Sequence, residues 1–199
     1  MPQPVIVGIA GGSASGKTTI TAALHADLEA SGLRPSLLAC DPYMHRDVEH
    51  APMFRFSATD ELTFDANRPD SVDWPALLSE LDDRVAVPDP PDVVLIEGLM
   101  VLHVAEMRER LDLRLFVELD ADERALRRLL RDMNSTRGLK DPAAIAAYYR
   151  ESARVGHASF IEPSRVHADL ILRGDAPTKR VVPMLVAVIR ELRTAHHSA

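Results

Sequence analysis

One cysteine, Cys40, is all the thiol this chain carries, so neither an internal disulfide nor a cysteine-based zinc site can form. It follows the apolar run Leu37-Leu38-Ala39, which reads as a small core residue rather than a redox centre. Positive charge is in deficit: 23 Lys and Arg against 30 Asp and Glu give a net charge of −7. Nucleic-acid binders usually present a basic domain, so no nucleic-acid partner is expected. Long apolar runs are missing as well, and none approaches the ~20 residues of a membrane span. The opening Val5-Ile6-Val7-Gly8-Ile9 is too short for a secretion signal and lacks its basic flank. The expectation is a cytoplasmic protein with no membrane partner. With 199 residues and 46% hydrophobic content, one well-buried α/β domain fits and two would be cramped. No internal repeat or low-complexity tract interrupts it.

Short apolar runs alternate with helical periodicity. Strands are expected at Val5–Ala10, Pro35–Cys40, Val93–Ile96, Leu113–Leu119 and Ala168–Leu172, each apolar or β-branched and bounded by breakers. Helices are expected at Lys17–Ala30, at Val72–Arg84 with Asp73 as N-cap, at Asp122–Met133, at Pro142–Val155 and at about Val181–Arg193. In the fourth strand-to-helix unit Leu126, Leu129, Leu130 and Met133 are expected to face the core. Pro183 is placed in the first turn of the last helix, and His196 and His197 in a frayed tail. Such alternation implies a parallel, three-layer α/β sheet. Ligands of these sheets sit at the carboxyl ends of the strands, so Gly11–Thr18, Asp41 and Glu97 should converge.

Gly11-Gly12-Ser13-Ala14-Ser15-Gly16-Lys17-Thr18 fits G-x-x-x-x-G-K-[ST], directly after a strand and opening a helix. Its glycines allow successive N–H groups to point inward, and the helix start adds about half a positive charge. Lys17 would bridge the β- and γ-phosphates of ATP (or GTP), and the Thr18 hydroxyl would ligate Mg²⁺. Glu97 ends the apolar run Val93-Val94-Leu95-Ile96 and is a second candidate for the metal. Asp41 follows a strand and precedes Pro42. It reads equally as a turn opener and as a base for an attacking hydroxyl.

Arg124, Arg127, Arg128 and Arg131 recur at helical spacing on one stripe. Asp120, Glu123 and Asp132 could pair with them at i,i+4. The alternative is a basic lid over the nucleotide that neutralises charge during transfer. The reading adopted is mixed: Arg128, Arg131 and Arg137 act on the nucleotide, while Arg124 is structural.

Gly8-Ile9-Ala10-Gly11-Gly12-Ser13-Ala14-Ser15-Gly16-Lys17-Thr18-Thr19 resembles the opening of the uridine (uridine–cytidine) kinases, in the wider uridine kinase and phosphoribulokinase group. The likeness continues through Thr63-Phe64-Asp65 to Pro69-Asp70 and Asp73-Trp74, with two extra residues before the proline. It extends to Val93–Gly98, to Arg127-Arg128-Leu129-Leu130-Arg131-Asp132 with Arg137-Gly138, and to Pro163, Ala168-Asp169 and Arg173-Gly174. The resemblance implies a single P-loop kinase domain with a five-stranded parallel sheet, flanking helices and a helical lid at about 124–141. It implies ATP or GTP as donor and Mg²⁺ near Thr18 and Glu97, with Thr19 counted among the nucleotide-binding residues. Asp41 becomes the candidate base, and Tyr43 and Asp65 fall on the acceptor side, in a segment of about 41–74. Related kinases form dimers or tetramers, so a homo-oligomer is an option.

Two departures stand out. Cys40-Asp41-Pro42-Tyr43-Met44 replaces the family's Gln-Asp-x-Phe-Tyr. The hairpin that reads the base in uridine kinases is missing, because Val85-Ala86-Val87-Pro88 runs through Asp89-Pro90-Pro91 straight into Asp92-Val93. The segment His45–Phe64, with Met53, Phe54, Arg55 and Phe56, is either a substitute acceptor lid or a packed surface loop. The expected activity is phosphate transfer from ATP to a hydroxyl of a small acceptor, nucleoside-like first. A nicotinamide riboside kinase-like or other small-metabolite kinase is the alternative on this fold. A regulatory nucleotide-binding protein without transfer is the alternative of another class, but the Asn-Lys-x-Asp of a GTPase switch is absent.

Overall fold

The computed structural model describes residues 3–45, 47, 49–135 and 139–198. Arg137, assigned above to the lid, lies outside the described residues. The main sheet has five parallel strands: β1 (Val5–Gly11), β2 (Pro35–Ala39), β5 (Val93–Glu97), β6 (Leu113–Glu118) and β7 (Leu170–Arg173). Their order is β2-β5-β1-β6-β7. A separate antiparallel hairpin pairs β3 (Met53–Phe56) with β4 (Glu61–Phe64).

The three layers follow from strand parity. Val5, Val7 and Ile9, with Val93, Leu95, Leu113 and Leu115, face α1 (Lys17–Ala30) and the last helix, α6 (Thr178–Ser198). Ile20, Leu24 and Leu28 meet Val182, Leu185 and Ile189 there. Val94, Ile96 and Phe116 face the other way. They pack on Leu77 and Leu81 of α2 (Trp74–Ala86), Met107 of α3 (Ala105–Arg108) and Ile161. Asp73 caps α2 by accepting from the Ala76 N–H at 3.0 Å, worth about 1 kcal/mol. Among the described residues no helix is long and apolar enough to cross a membrane.

Four expectations about the helices are corrected. The helix from Pro142 does not stop near Val155: α5 (142–164) runs from Pro142–Tyr148 through π turns at Tyr149–Ala153 and His157–Ile161 to Glu162–Ser164. α6 starts earlier than expected, so Pro183 lies inside it. Its ring faces solvent, where water can satisfy the carbonyl it leaves unbonded. His196 is helical rather than frayed and pairs with Asp112 at 3.3 Å.

The largest correction concerns α4 (Ala121–Asn134). Leu126 and Leu130 are 58% and 61% exposed, Met133 is exposed too, and Arg124 is buried. The helix therefore turns its arginine stripe towards the cleft and Leu126, Leu130 and Met133 to solvent, while Leu129 is half-buried as expected. What it packs against is a polar cleft, and that decides the face.

Candidate active site

Three strand ends meet, and the register shows why. Ile9 of β1 and Ala39 of β2 both align with Glu97 of β5, so the residues that follow each strand emerge side by side. The Cys40 N–H donates to the Glu97 carbonyl at 2.9 Å, which sets Asp41 next to that strand end.

Between β1 and α1 the chain closes a loop. Ala14 sits at φ 61°, a left-handed conformation costing a side-chain-bearing residue about 1–2 kcal/mol. Gly16, at φ 102°, is the N-cap of α1. The loop is braced from below by Gly174, which follows β7. A Cβ on Gly174 would overlap the Ser15 carbonyl oxygen, so only glycine permits this approach. Ser13, Ala14, Gly16, Lys17, Thr18 and Thr19 line an adjoining cleft of about 520 Å³. Gly11 and Gly12 are buried, and so is Ser15.

Lys17 is the first residue of α1 and is buried; its Nζ donates to the Gly12 carbonyl at 3.0 Å. Burial pushes its pKa down to about 8, against the pull of the Glu97 and Asp41 carboxylates, while Arg131 adds a smaller downward push. The Thr18 hydroxyl donates to Glu97 Oε1 at 2.7 Å. Asp41, Glu97, Arg127, Arg128 and Arg131 line the same cleft. Cys40 lies behind them, buried, its thiol pushed up to about 12 by burial first and by Asp41 and Glu97 next.

The arginines divide by partner. Arg124 donates from Nε to the Leu119 carbonyl at 3.0 Å rather than pairing with Asp120, and it packs against Gly12 at the loop. Arg127 pairs with Glu123 at 2.7 Å and donates to the Gly174 carbonyl at 3.2 Å. Arg128 pairs with Asp132 at 3.2 Å and stands 5.1 Å over the Tyr148 ring. Arg131 meets the same Asp132 at 2.8 Å. Two acceptor-side expectations land elsewhere. Tyr43 packs with the core cluster around Leu77, outside the cleft lining. Asp65 also stays out of that lining and accepts from Ser152 Oγ at 2.6 Å. Residues 87–92 link α2 directly to β5, as the missing hairpin anticipates.

Sequence reasoning missed His157, a lone histidine inside an unremarkable helical stretch. It lies against Gly12, opposite Arg124. Its Nε2 is 3.2 Å from Glu162, and its Nδ1 is buried with no partner. Burial first, then the Arg124 and Lys17 charges, lower its pKa to about 4. The folded value is below the ordinary 6.5, so the stability it contributes is complete above pH 6.5 and lost as pH falls through about 4. Between those limits the loss is about 3 kcal/mol. His157→Gln should therefore lose less Tm than the parent between pH 6.5 and pH 4.5 in thermal melts. Parallel losses in the two proteins would refute a buried neutral imidazole.

Comparison with known proteins meets this geometry. The model of the phosphoribulokinase / uridine kinase family matches residues 43–181. A uridine kinase of Deinococcus deserti is 36% identical over 209 aligned positions, covering 94% of this chain and 96% of that protein. One from Staphylococcus epidermidis is 34% identical over 213 positions, covering 96% and 98%. Both alignments are longer than the chain's own 199 residues, so both relatives hold residues with no counterpart here. Among solved structures, a possible uridine kinase from Bacillus stearothermophilus superposes with a TM-score of 0.54 at 17% identity, over 86% of this chain and 90% of that one, and so supports the fold. By the family model and by these relatives, this chain belongs to the phosphoribulokinase/uridine kinase family of kinases.

Proposed function

We propose that this kinase moves the γ-phosphate of ATP to a hydroxyl of a nucleoside-type acceptor, with Asp41 as base and Thr18 and Glu97 as the metal-holding pair. The observation that carries the reading is the 2.7 Å contact between Thr18 Oγ1 and Glu97 Oε1, in one cleft with Lys17 and Asp41. Two hard oxygens beside a phosphate loop suit Mg²⁺, which takes one or two protein oxygens and completes its shell with phosphate and water. When bound, the ion would neutralise charge on the β- and γ-phosphates.

The chain's own groups do the rest. Loop N–H groups and the α1 N-terminus hold the phosphates. Lys17 exchanges the Gly12 carbonyl for the phosphate oxygens. Asp41 orients the acceptor hydroxyl and takes its proton as the O–P bond forms. Arg128 and Arg131, on the cleft-facing side of α4, neutralise charge on the transferring group, with α4 acting as lid. Use of ATP as donor supports a cytoplasmic location.

The relatives named uridine kinases hold residues with no counterpart in this chain, and residues 87–92 run from α2 to β5 without a base-reading hairpin. Nicotinamide riboside therefore belongs with uridine and cytidine in the test. ADP release should be followed with ATP and a panel of nucleosides, free sugars and vitamins. At least one nucleoside should raise turnover well above the acceptor-free background. If none of the panel does, the reading fails.

A further inference from the structure

After β4 the chain turns through 65–68 before Pro69, and this turn holds an unusual arrangement. Ala66 and Asn67 line the cleft that also contains Lys17 and Asp41. Asn67 is only 2% exposed, and a carboxamide so enclosed needs its polar atoms bonded. Its backbone N–H donates to Asp65 Oδ1 at 3.0 Å, and its Nδ2 donates to Ser152 Oγ at 2.8 Å. Ser152 Oγ in turn donates to Asp65 Oδ1 at 2.6 Å. The three groups close a ring.

Helix α5 is shaped to admit this turn. Ser152 lies in the first π turn, Tyr149–Ala153, and Gly156 lies just before the second, His157–Ile161. A Cβ on Gly156 would overlap the Asn67 carbonyl oxygen, so glycine is required for the approach. π turns inside α-helices frequently mark functional sites, and here two flank Gly156, against which the Asn67 backbone lies. The turn is also two residues longer than the Phe-Asp-x-Pro-Asp pattern it resembles, and Ala66 and Asn67 fall within that extra length.

We propose that Asn67 is a specificity-determining residue of the acceptor end, selecting a neutral, hydroxyl-bearing acceptor over a phosphorylated one, with Asp65 and Ser152 as the positioning residues that hold it. The inference rests on the kinase reading above. A carboxamide has no net charge. With one Nδ2 proton committed to Ser152, it retains a second N–H and its Oδ1, a donor and an acceptor that match a hydroxyl. The neighbouring lining residues Met44, Ala66 and Leu99 carry no charge either. Arg68, the next residue, pairs with Asp70 at 3.0 Å, and Arg128 is engaged by Asp132 and the Tyr148 ring. Among the described residues this part of the lining therefore offers hydrogen bonds to hydroxyls and carries no cation of its own for a phosphate.

Steady-state kinetics on the full chain test this, using nucleosides, free sugars and sugar phosphates as acceptors for the parent, Asn67→Ala and Ser152→Ala. Neutral acceptors should outrank sugar phosphates in the parent. Asn67→Ala should raise the acceptor KM about tenfold, the loss of one or two hydrogen bonds. Its kcat and ATP KM should stay within about twofold. Ser152→Ala, which removes no lining atom and guards against a misfolded Asn67 variant, should act in the same direction and less strongly. An unchanged acceptor KM and ranking in folded Asn67→Ala would overturn the proposal, as would a sugar phosphate ranking first in the parent. Equal rises in both KM values with a lowered Tm would mean a structural role only, and would overturn it too. A parent inactive on every acceptor removes the kinase reading itself, a result visible before any variant is made.

Discussion

Lys17→Met is expected to lower kcat/KM for phosphate transfer by about three orders of magnitude while leaving Tm unchanged or raising it. The two halves have one cause. Lys17 is buried at the start of α1, where desolvation already depresses its pKa to about 8. Its charge is therefore held in the fold at a cost, and Met keeps the length of the side chain without it. Losing a preorganised cation at a transferring phosphoryl group costs about 10²–10³ in rate or more. The depressed value also sets a pH limb. For catalysis, kcat/KM for ATP in the parent should fall above about pH 8, as the free enzyme loses the Lys17 proton. For stability the sign is opposite. The folded pKa lies below the ordinary 10.5, so the penalty is complete below about pH 8 and is relieved as pH rises towards 10.5. A kcat/KM profile that stays flat to pH 9.5 would count against Lys17 as the phosphate-binding cation.

Asp41→Asn should reduce kcat by about 10²–10⁴, the range for losing a positioned general base, and should leave the ATP KM within about threefold. The substitution keeps the shape of the residue that opens the short 3₁₀ turn Asp41–Tyr43, so positioning survives and proton transfer does not. Slow ATP hydrolysis without acceptor, which needs no acceptor proton removed, should change far less. Single-turnover measurements with saturating acceptor separate the two steps. A kcat within threefold of the parent would return Asp41 to the role of a turn opener.

The parts legible in the sequence are those whose chemistry demands fixed residue types in contiguous order. Gly11–Thr18 could be read because a phosphate loop tolerates few residues at its ends, and it spans the end of β1, the turn at 12–16 and the start of α1. The central strands β1, β5 and β6 were legible because burial on both faces leaves them almost wholly apolar, the edge strands β2 and β7 because each is a short apolar run between breakers, and Asp73 because an N-cap is a local hydrogen bond. The inward face of α4 was not. Arg124–Arg131 and Leu126–Met133 are equally periodic, and the choice between them depends on a cleft formed by residues far away in sequence. Hairpin β3–β4 was missed for a similar reason. Its strands are four residues each, and they are held by Phe54 and Phe56 against Tyr148 and by Ser57 against Glu151. The π turns of α5 leave no mark in composition, and Asn67 acquires its place only once Ser152 and Gly156 arrive beside it.

The strand order carries a consequence for how the molecule is made. β1 is synthesised first, yet it occupies the centre of the sheet, between β5 and β6. Its first partner begins only at Val93 and its second at Leu113. At ~5–20 residues per second on a ribosome, Val5–Gly11 waits on the order of ten seconds for the strand that covers its edge. Throughout that interval it is a short, uncharged, β-rich segment with both edges open, the kind that chaperones hold and aggregates recruit. Assembly of the nucleotide cradle is thus a late event, although its loop is made well before the strands that flank β1.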